Sequence, residues 1–251
     1  MIREDFHVHT TFSDGHHSME EMVLSAIDLG MERIGFSDHS HTSYDLSYCM
    51  KKENYPAYLR EVRRLREKYE GKIRILAGIE QDYYSDVRPE GFDYVIGAAH
   101  YLHLGEEYID VDWGTDRLRA ACSKYFDGDI YALTACYFDM VSGIVEKTSC
   151  DLIAHFDLIS LYIERDPLFD RKDPRYIGAW KRALDRLLTY GIPFEINTGA
   201  IARGYRSGPY PDYPMIDYIK DRGGRLLLSS DSHDKSTLMY RFKDFENLLQ
   251  G

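Results

Sequence analysis

Two histidines one residue apart, His7 and His9, end the run Asp5-Phe6-His7-Val8-His9, which alternates as a β-strand does. Side chains at i and i+2 of a strand share a face, so both imidazoles turn to one side and can meet one ion. Ligand-type or polar residues then recur just after short apolar runs: Asp38 with His39, Glu80, His100, His155, Asn197, and Asp231 with His233. Six of the ten histidines occupy such positions. Imidazole mixed with carboxylate suits Zn, Fe, Mn or related divalent ions, and the absence of thiolates favours a solvent-open catalytic site over a closed structural one. One four-coordinate ion cannot use so many donors, so two or three ions are expected.

Something must bring these residues together. Apolar or β-rich runs at 5–9, 33–37, 73–79, 94–98, 152–154, 193–196 and 225–229 alternate with amphipathic stretches at 18–29, 55–69, 115–124, 130–147, 173–190, 213–222 and 236–249. Strands alternating with helices predict an α/β fold with parallel pairing. Seven strands, nearly all with their own helix, predict a barrel one strand short of the eight-stranded form, with the site at the carboxyl ends of its strands. Ser18 before Glu20 and Glu21 marks a helix start, and Gly30, Gly191 and Gly223 stand where helices end. The Gly/Pro-rich segment 204–214 reads as a long loop on the rim of the site.

Composition narrows the function. With 251 residues, 44% of them hydrophobic, the chain can bury a large core, and one domain over 1–251 is expected. A formal charge of −11 argues against nucleic acid as a partner, because that affinity rests on many cationic contacts to phosphate. Cys49, Cys122, Cys136 and Cys150 are widely spaced, which suggests a reducing, cytoplasmic setting. No apolar run approaches membrane-spanning length, so no membrane partner is expected. Self-association into a homo-oligomer is left open.

The motifs His7-Val8-His9-Thr10, Phe12-Ser13-Asp14-Gly15, Ser37-Asp38-His39-Ser40, Gly78-Ile79-Glu80, His100, His155-Phe156-Asp157 and Ser230-Asp231-Ser232-His233 occur in order over nearly the whole chain. Together they resemble the signature of the polymerase and histidinol phosphatase (PHP) superfamily. The segments around Asp93 to His100, His155 to Ile159 and Glu195 to Thr198 are similar to the stand-alone histidinol-phosphate phosphatases in particular. The resemblance implies a distorted (β/α)7 barrel and three divalent ions, Zn, Fe or Mn. By it, His7, His9, Glu80 and Asp231 hold the first ion, and Glu80 bridges to a second that His100 and His155 also bind. His39 and His233 hold the third, completed by Asp14 or by one of the adjacent His16 and His17.

The implied activity is hydrolysis of a small phosphorylated substrate, L-histidinol phosphate, to L-histidinol and phosphate in histidine biosynthesis. Another PHP phosphatase, acting on a small molecule or phosphotyrosine, and a PHP phosphodiesterase or exonuclease are the alternatives. Arg203, six residues after Asn197, is the expected phosphate contact and catalytic cation. In the similar phosphatases two adjacent basic positions follow the Asn-Thr pair; here Ala202 occupies the first, so Arg165 or Arg206 is asked to supply the missing charge. Asp157, His103 or a metal-bound water is the candidate acid for the leaving group. Asn197, Tyr101 and His103 are candidate substrate contacts, with Asp82 and Tyr83 placed to meet an ammonium and an imidazole.

Overall fold

The computed structural model describes residues 2–249, and most strands of its main sheet come from short runs whose residues are buried on both faces, as strands covered on both sides must be. In chain order the elements are β1 (Glu4–Asp5), α1 (Met19–Asp28), β2 (Arg33–Phe36), α2 (Tyr55–Lys68), β3 (Arg74–Asp82), β4 (Tyr94–Ala98), β5 (Tyr101–Leu104) and β6 (Glu107–Asp110). There follow α3 (Thr115–Tyr125), α4 (Ile130–Val141), α5 (Ile144–Thr148), β7 (Leu152–Ile153), α6 (Pro174–Leu188), β8 (Phe194–Asn197), α7 (Gly199–Ala202), α8 (Tyr213–Asp221), β9 (Leu226–Ser229) and α9 (Phe242–Phe245). Seven strands form one parallel sheet in the order β1-β2-β3-β4-β7-β8-β9, the sequence order of the seven expected strands.

The sheet curls until its ends meet. The His9 N–H donates to the Ser232 carbonyl at 2.8 Å and the Ser232 N–H to the His7 carbonyl at 3.0 Å. The barrel is therefore nearly closed, as expected, and its closure joins two of the chemistry-bearing segments. A large apolar core lies between sheet and helices, including Phe36, Leu65, Ile79, Phe138, Leu184 and Phe194. Inside the barrel, beneath Glu80, Tyr94 reaches across from β4 and its hydroxyl donates to the Phe6 carbonyl at 2.6 Å. Glycine makes this reach geometrically allowed, since a Cβ on Gly78 would sit 2.1 Å from the Tyr94 ring.

Four elements differ from the sequence reading. The expected strand at 5–9 is regular only at Glu4–Asp5, with a single bridge from Val8 to Ser232 beyond it. The expected helix at 130–147 is two, α4 and α5, interrupted at Ser142 and Gly143. The expected helix at 236–249 is broken into short turns, with Met239 and Arg241 in left-handed backbone conformation. Met239 is held there by a tertiary contact, its N–H donating to Asp5 Oδ2 at 3.1 Å. The antiparallel hairpin β5–β6 was not foreseen; its two-residue turn is Gly105-Glu106, with Gly105 at φ +61°.

Candidate metal centre

Each strand delivers its polar residue at or just beyond its carboxyl end. His7 and His9 follow β1, His39 follows β2, Glu80 lies on β3, His100 follows β4, His155 follows β7, and Asp231 and His233 follow β9. Asp14 arrives on a loop that Asp38 holds, accepting the Thr10 N–H at 2.8 Å and the Ser13 N–H at 3.0 Å. Gly15 lets that loop fold tightly, because a Cβ there would lie 2.5 Å from the Thr10 nitrogen. Asp231 sits at φ +49°, a sparsely populated conformation for a non-glycine residue that the last strand end imposes.

Glu80 is the hub. Its Oε1 lies 2.9 Å from His155 Nε2 and 3.3 Å from His100 Nε2. Its Oε2 lies 3.3 Å from His7 Nε2, 3.6 Å from His9 Nε2 and 2.7 Å from His39 Nδ1. Asp231 Oδ1 faces the same pair, 3.2 Å from His9 Nε2 and 3.6 Å from His7 Nε2. Asp14 Oδ1 approaches His233 Nε2 at 3.3 Å, His39 Nε2 at 3.7 Å and His9 Nδ1 at 3.9 Å. The nine residues thus fall into overlapping groups whose donor atoms lie within 4.8 Å of one another.

The donor atoms fit cations. His7 Nε2, both ring nitrogens of His9, Asp14 Oδ1 and Glu80 Oε2 are buried and make no hydrogen bond. Leaving such a group unpaired costs roughly 1–3 kcal/mol each, so a cluster of them facing one another is expected only where ions satisfy them. Burial favours the neutral form of Glu80, yet His39, His7 and His100 together outweigh it and hold the carboxyl well below its ordinary value. Asp231 and Asp14 are depressed in the same way against burial, Asp231 by Arg203 and His7, Asp14 by His39 and His233. His9 is lowered to about 3, first by burial and then by His233 and His39, which keeps its nitrogens free to donate electron pairs.

Two carboxylates outside the expected ligand set, Glu195 and Asp82, aim the imidazoles. Glu195 accepts from His7 Nδ1 at 2.8 Å and from Ser229 Oγ at 2.6 Å, while its other oxygen takes the His155 N–H at 2.5 Å and Asn197 Nδ2 at 2.8 Å. Asp82 Oδ2 lies 3.1 Å from His100 Nδ1, and its Oδ1 accepts the Tyr44 hydroxyl at 2.7 Å. Both contacts leave Nε2 as the ligand atom of the imidazole. Glu195 shares a face with Asn197, and Asp82 with Glu80, so strand alternation would have found them.

The expected substrate contacts separate into two sets. Arg203 opens on the site, with 37% of its side chain exposed, Nη2 3.0 Å from Asp231 Oδ2 and Nη1 3.2 Å from the Asp231 carbonyl. Tyr101 also lines the cleft, its hydroxyl donating to Asp45 at 2.7 Å. His16 lies at the rim and pairs with Asp234, as does His17, each at 3.6 Å, so of the three adjacent candidates Asp14 joins the cluster. The remaining candidates do not line the cleft. Asn197 is fully buried and caps α7 through the Gly199 N–H; Arg165 stacks on Tyr205 and donates to the Gly204 carbonyl; His103 stacks outward on Tyr108. Asp157 and Arg206 are buried against each other at 3.3 Å, and Asp82 is taken up by His100 and Tyr44. Tyr83 packs near Lys147 instead of facing the cleft.

The cleft has a volume of about 780 Å³. His39, His100, His155, His233 and Arg203 form its floor, and Asp45, Tyr48, Tyr101, Asp110, Asp112 and Trp113 stand on the wall that includes the β5–β6 hairpin. No helix among the described residues is long and apolar enough to cross a membrane.

Known proteins share this fold. A probable histidinol-phosphatase of Deinococcus radiodurans is 28% identical, over 96% of this chain and 90% of its own. The crystal structure of the putative histidinol phosphatase of Listeria monocytogenes superposes with a TM-score of 0.81 at 17% identity, covering 96% of this chain and 99% of that one. The histidinol phosphate phosphatase of Lactococcus lactis, solved with zinc, L-histidinol and phosphate, gives 0.76 at 22% identity, covering 99% and 92%. The fold is thus that of these enzymes. Residues 5–199 match the PHP domain, and the chain belongs to the PHP family.

Proposed function

We propose that this protein is a metal-dependent phosphomonoesterase that hydrolyses L-histidinol phosphate to L-histidinol and phosphate, with the whole chain acting as one domain. The observation that carries the reading is the set of unpaired, buried imidazole and carboxylate atoms around Glu80, beside an open cleft that also presents Arg203. In this reading His7, His9, Asp14, His39, Glu80, His100, His155, Asp231 and His233 hold three divalent ions, of Zn, Fe or Mn. Such ions, when bound, lower the pKa of water to make a nucleophile near neutral pH and offset phosphoryl charge.

The chain's own groups supply the rest. Arg203 presents a planar fork to a phosphate oxygen from above Asp231, and its contacts with the Asp231 carboxylate and carbonyl fix the direction of that fork. Glu195 and Asp82 hold their imidazoles with Nδ1 engaged, so that no ligand has to reorient as substrate arrives. Asp157 and His103 do not line the cleft, so neither is assigned as the leaving-group acid. Four unpaired cysteines support a reducing, cytoplasmic setting. The substrate is carried by the relatives' activities together with the cleft's mixed acidic and aromatic wall.

Steady-state hydrolysis by metal-loaded protein tests the reading, with L-histidinol phosphate set against phosphotyrosine, other small monoesters and single-stranded DNA. Histidinol phosphate should give the highest kcat/KM by at least tenfold. A better monoester would overturn the substrate assignment, and release of nucleotides without monoester cleavage would overturn the reaction class.

A further inference from the structure

The hairpin β5–β6 and the segment after it place two carboxylates on the cleft wall in unusual states. Asp112 lines the cleft, and its carboxylate engages no hydrogen-bond or ion-pair partner among the described residues. Asp110 is only 4% exposed and also lines the cleft; Arg117 takes its Oδ2, but its Oδ1 is buried with no hydrogen bond at all. An unpaired carboxylate oxygen withdrawn from water is costly unless a donor arrives. The other wall carboxylate is already engaged, Asp45 accepting from Ser47 and from Tyr101. Beside them stand the rings of Tyr48 and Tyr101 and, at the lip, Trp113 with 79% of its surface exposed. Carboxylates flanked by aromatic faces attract a compact organic cation and a flat ring attached to it.

We propose that Asp110 and Asp112 form the subsite for the ammonium group of the alcohol being released, and that Asp112 is the residue that selects amine-bearing phosphate esters over neutral ones. Arg203 and the histidine floor take the phosphate end, while the hairpin wall takes the cationic end. The proposal rests on the phosphatase reading above, but it concerns the choice among esters and not the chemistry of cleavage. The free Asp112 carboxylate supplies the charge, and the buried Asp110 oxygen supplies a second acceptor for a group with three N–H donors.

The test compares L-histidinol phosphate with its deamino analogue, in which hydrogen replaces the ammonium group, using metal-loaded wild-type protein and Asp112→Asn. Wild type should favour the amine ester in kcat/KM by tenfold or more, mainly through KM, because a hydrogen bond to a charged group is worth about that factor. Asp112→Asn should erase most of this preference. Calorimetric binding of L-histidinol should weaken in parallel, and near-UV circular dichroism checks that the variant folds. Equal kcat/KM for the two esters in wild type, or an unchanged preference in Asp112→Asn, would overturn the subsite and leave the phosphatase reading intact. Hydrolysis of neither ester would instead remove the phosphatase reading on which the subsite depends.

Discussion

Glu195→Gln is the change that most sharply separates ligand orientation from mere burial. Four donors converge on the two Glu195 oxygens: His7 Nδ1 and Ser229 Oγ on one, the His155 N–H and Asn197 Nδ2 on the other. Glutamine keeps the volume but has one oxygen, so its NH2 must face one of these pairs. Backbone N–H and amide NH2 cannot accept, whereas a serine hydroxyl can rotate and an imidazole can switch tautomer. The amide nitrogen therefore turns toward His7, which must accept at Nδ1 and carry its proton on Nε2. That nitrogen faces Glu80 and Asp231 at 3.3 and 3.6 Å, and a protonated nitrogen cannot ligate. Loss of such an outer partner weakens metal affinity by roughly 10–100-fold, or about 1.4–2.7 kcal/mol. Competition titration of Zn²⁺ against a chelator measures it, with the fold checked by circular dichroism. Affinity within threefold of wild type in a folded Glu195→Gln protein would refute the reasoning.

Other substitutions probe other levels. Gly78→Ala should cost about 3 kcal/mol or more by urea unfolding, since its Cβ would meet the Tyr94 ring at 2.1 Å and that ring fills the barrel; a loss under 1 kcal/mol would mean that Tyr94 has room to move. Arg203→Ala should lower kcat/KM on a phosphate monoester by about 10–100-fold, and Arg203→Lys should not restore it, because a point charge lacks the fork. Glu20→Ala removes an exposed network in which Arg64 and the Tyr69 hydroxyl bind Glu20 at 2.6 and 2.7 Å, joining α1 to α2. The shift in Tm should be only about 1–3 °C. Lys68, Arg64 and Tyr69 lower the Glu20 carboxyl from 4.5 to about 2, so the folded state binds its proton less readily than the unfolded one. The contribution is complete above pH 4.5 and is lost as pH falls toward 2, so the difference between wild type and variant should narrow over that interval.

The barrel was legible because the rule that makes it is local. Short apolar strands, most of them ending in a polar residue, predict both the parallel sheet and the rim at which ligands gather; the seven strands pair in the expected order, and all but the first, which is regular only at Glu4–Asp5, lie where the pattern puts them. Asp14 was legible as one of three adjacent candidates, and the fold separates it from His16 and His17 through the grip of Asp38 on its loop. What escaped depends on contacts distant in sequence. Asp157 meets Arg206 49 residues later, which removes both from the cleft, and Asn197 spends its side chain on Glu195 and α7. The breaks within 130–147 and 236–249 come from chain direction and tertiary anchoring, such as the Asp5 bond to Met239, which helical periodicity does not register. Glu195 and Asp82 were available from strand alternation, which places them on the faces of Asn197 and Glu80.

The central claim is that residues gathered at the strand ends hold ions that drive phosphate-ester hydrolysis. Metal content and phosphate release from L-histidinol phosphate, measured on the same sample before chelation, after chelation and after adding back Zn²⁺, Fe²⁺ or Mn²⁺, test it most directly. About three ions per chain are expected, with loss of activity as they are removed and recovery with their return. Undiminished hydrolysis by metal-free protein, or fully loaded protein that releases no phosphate, would contradict it.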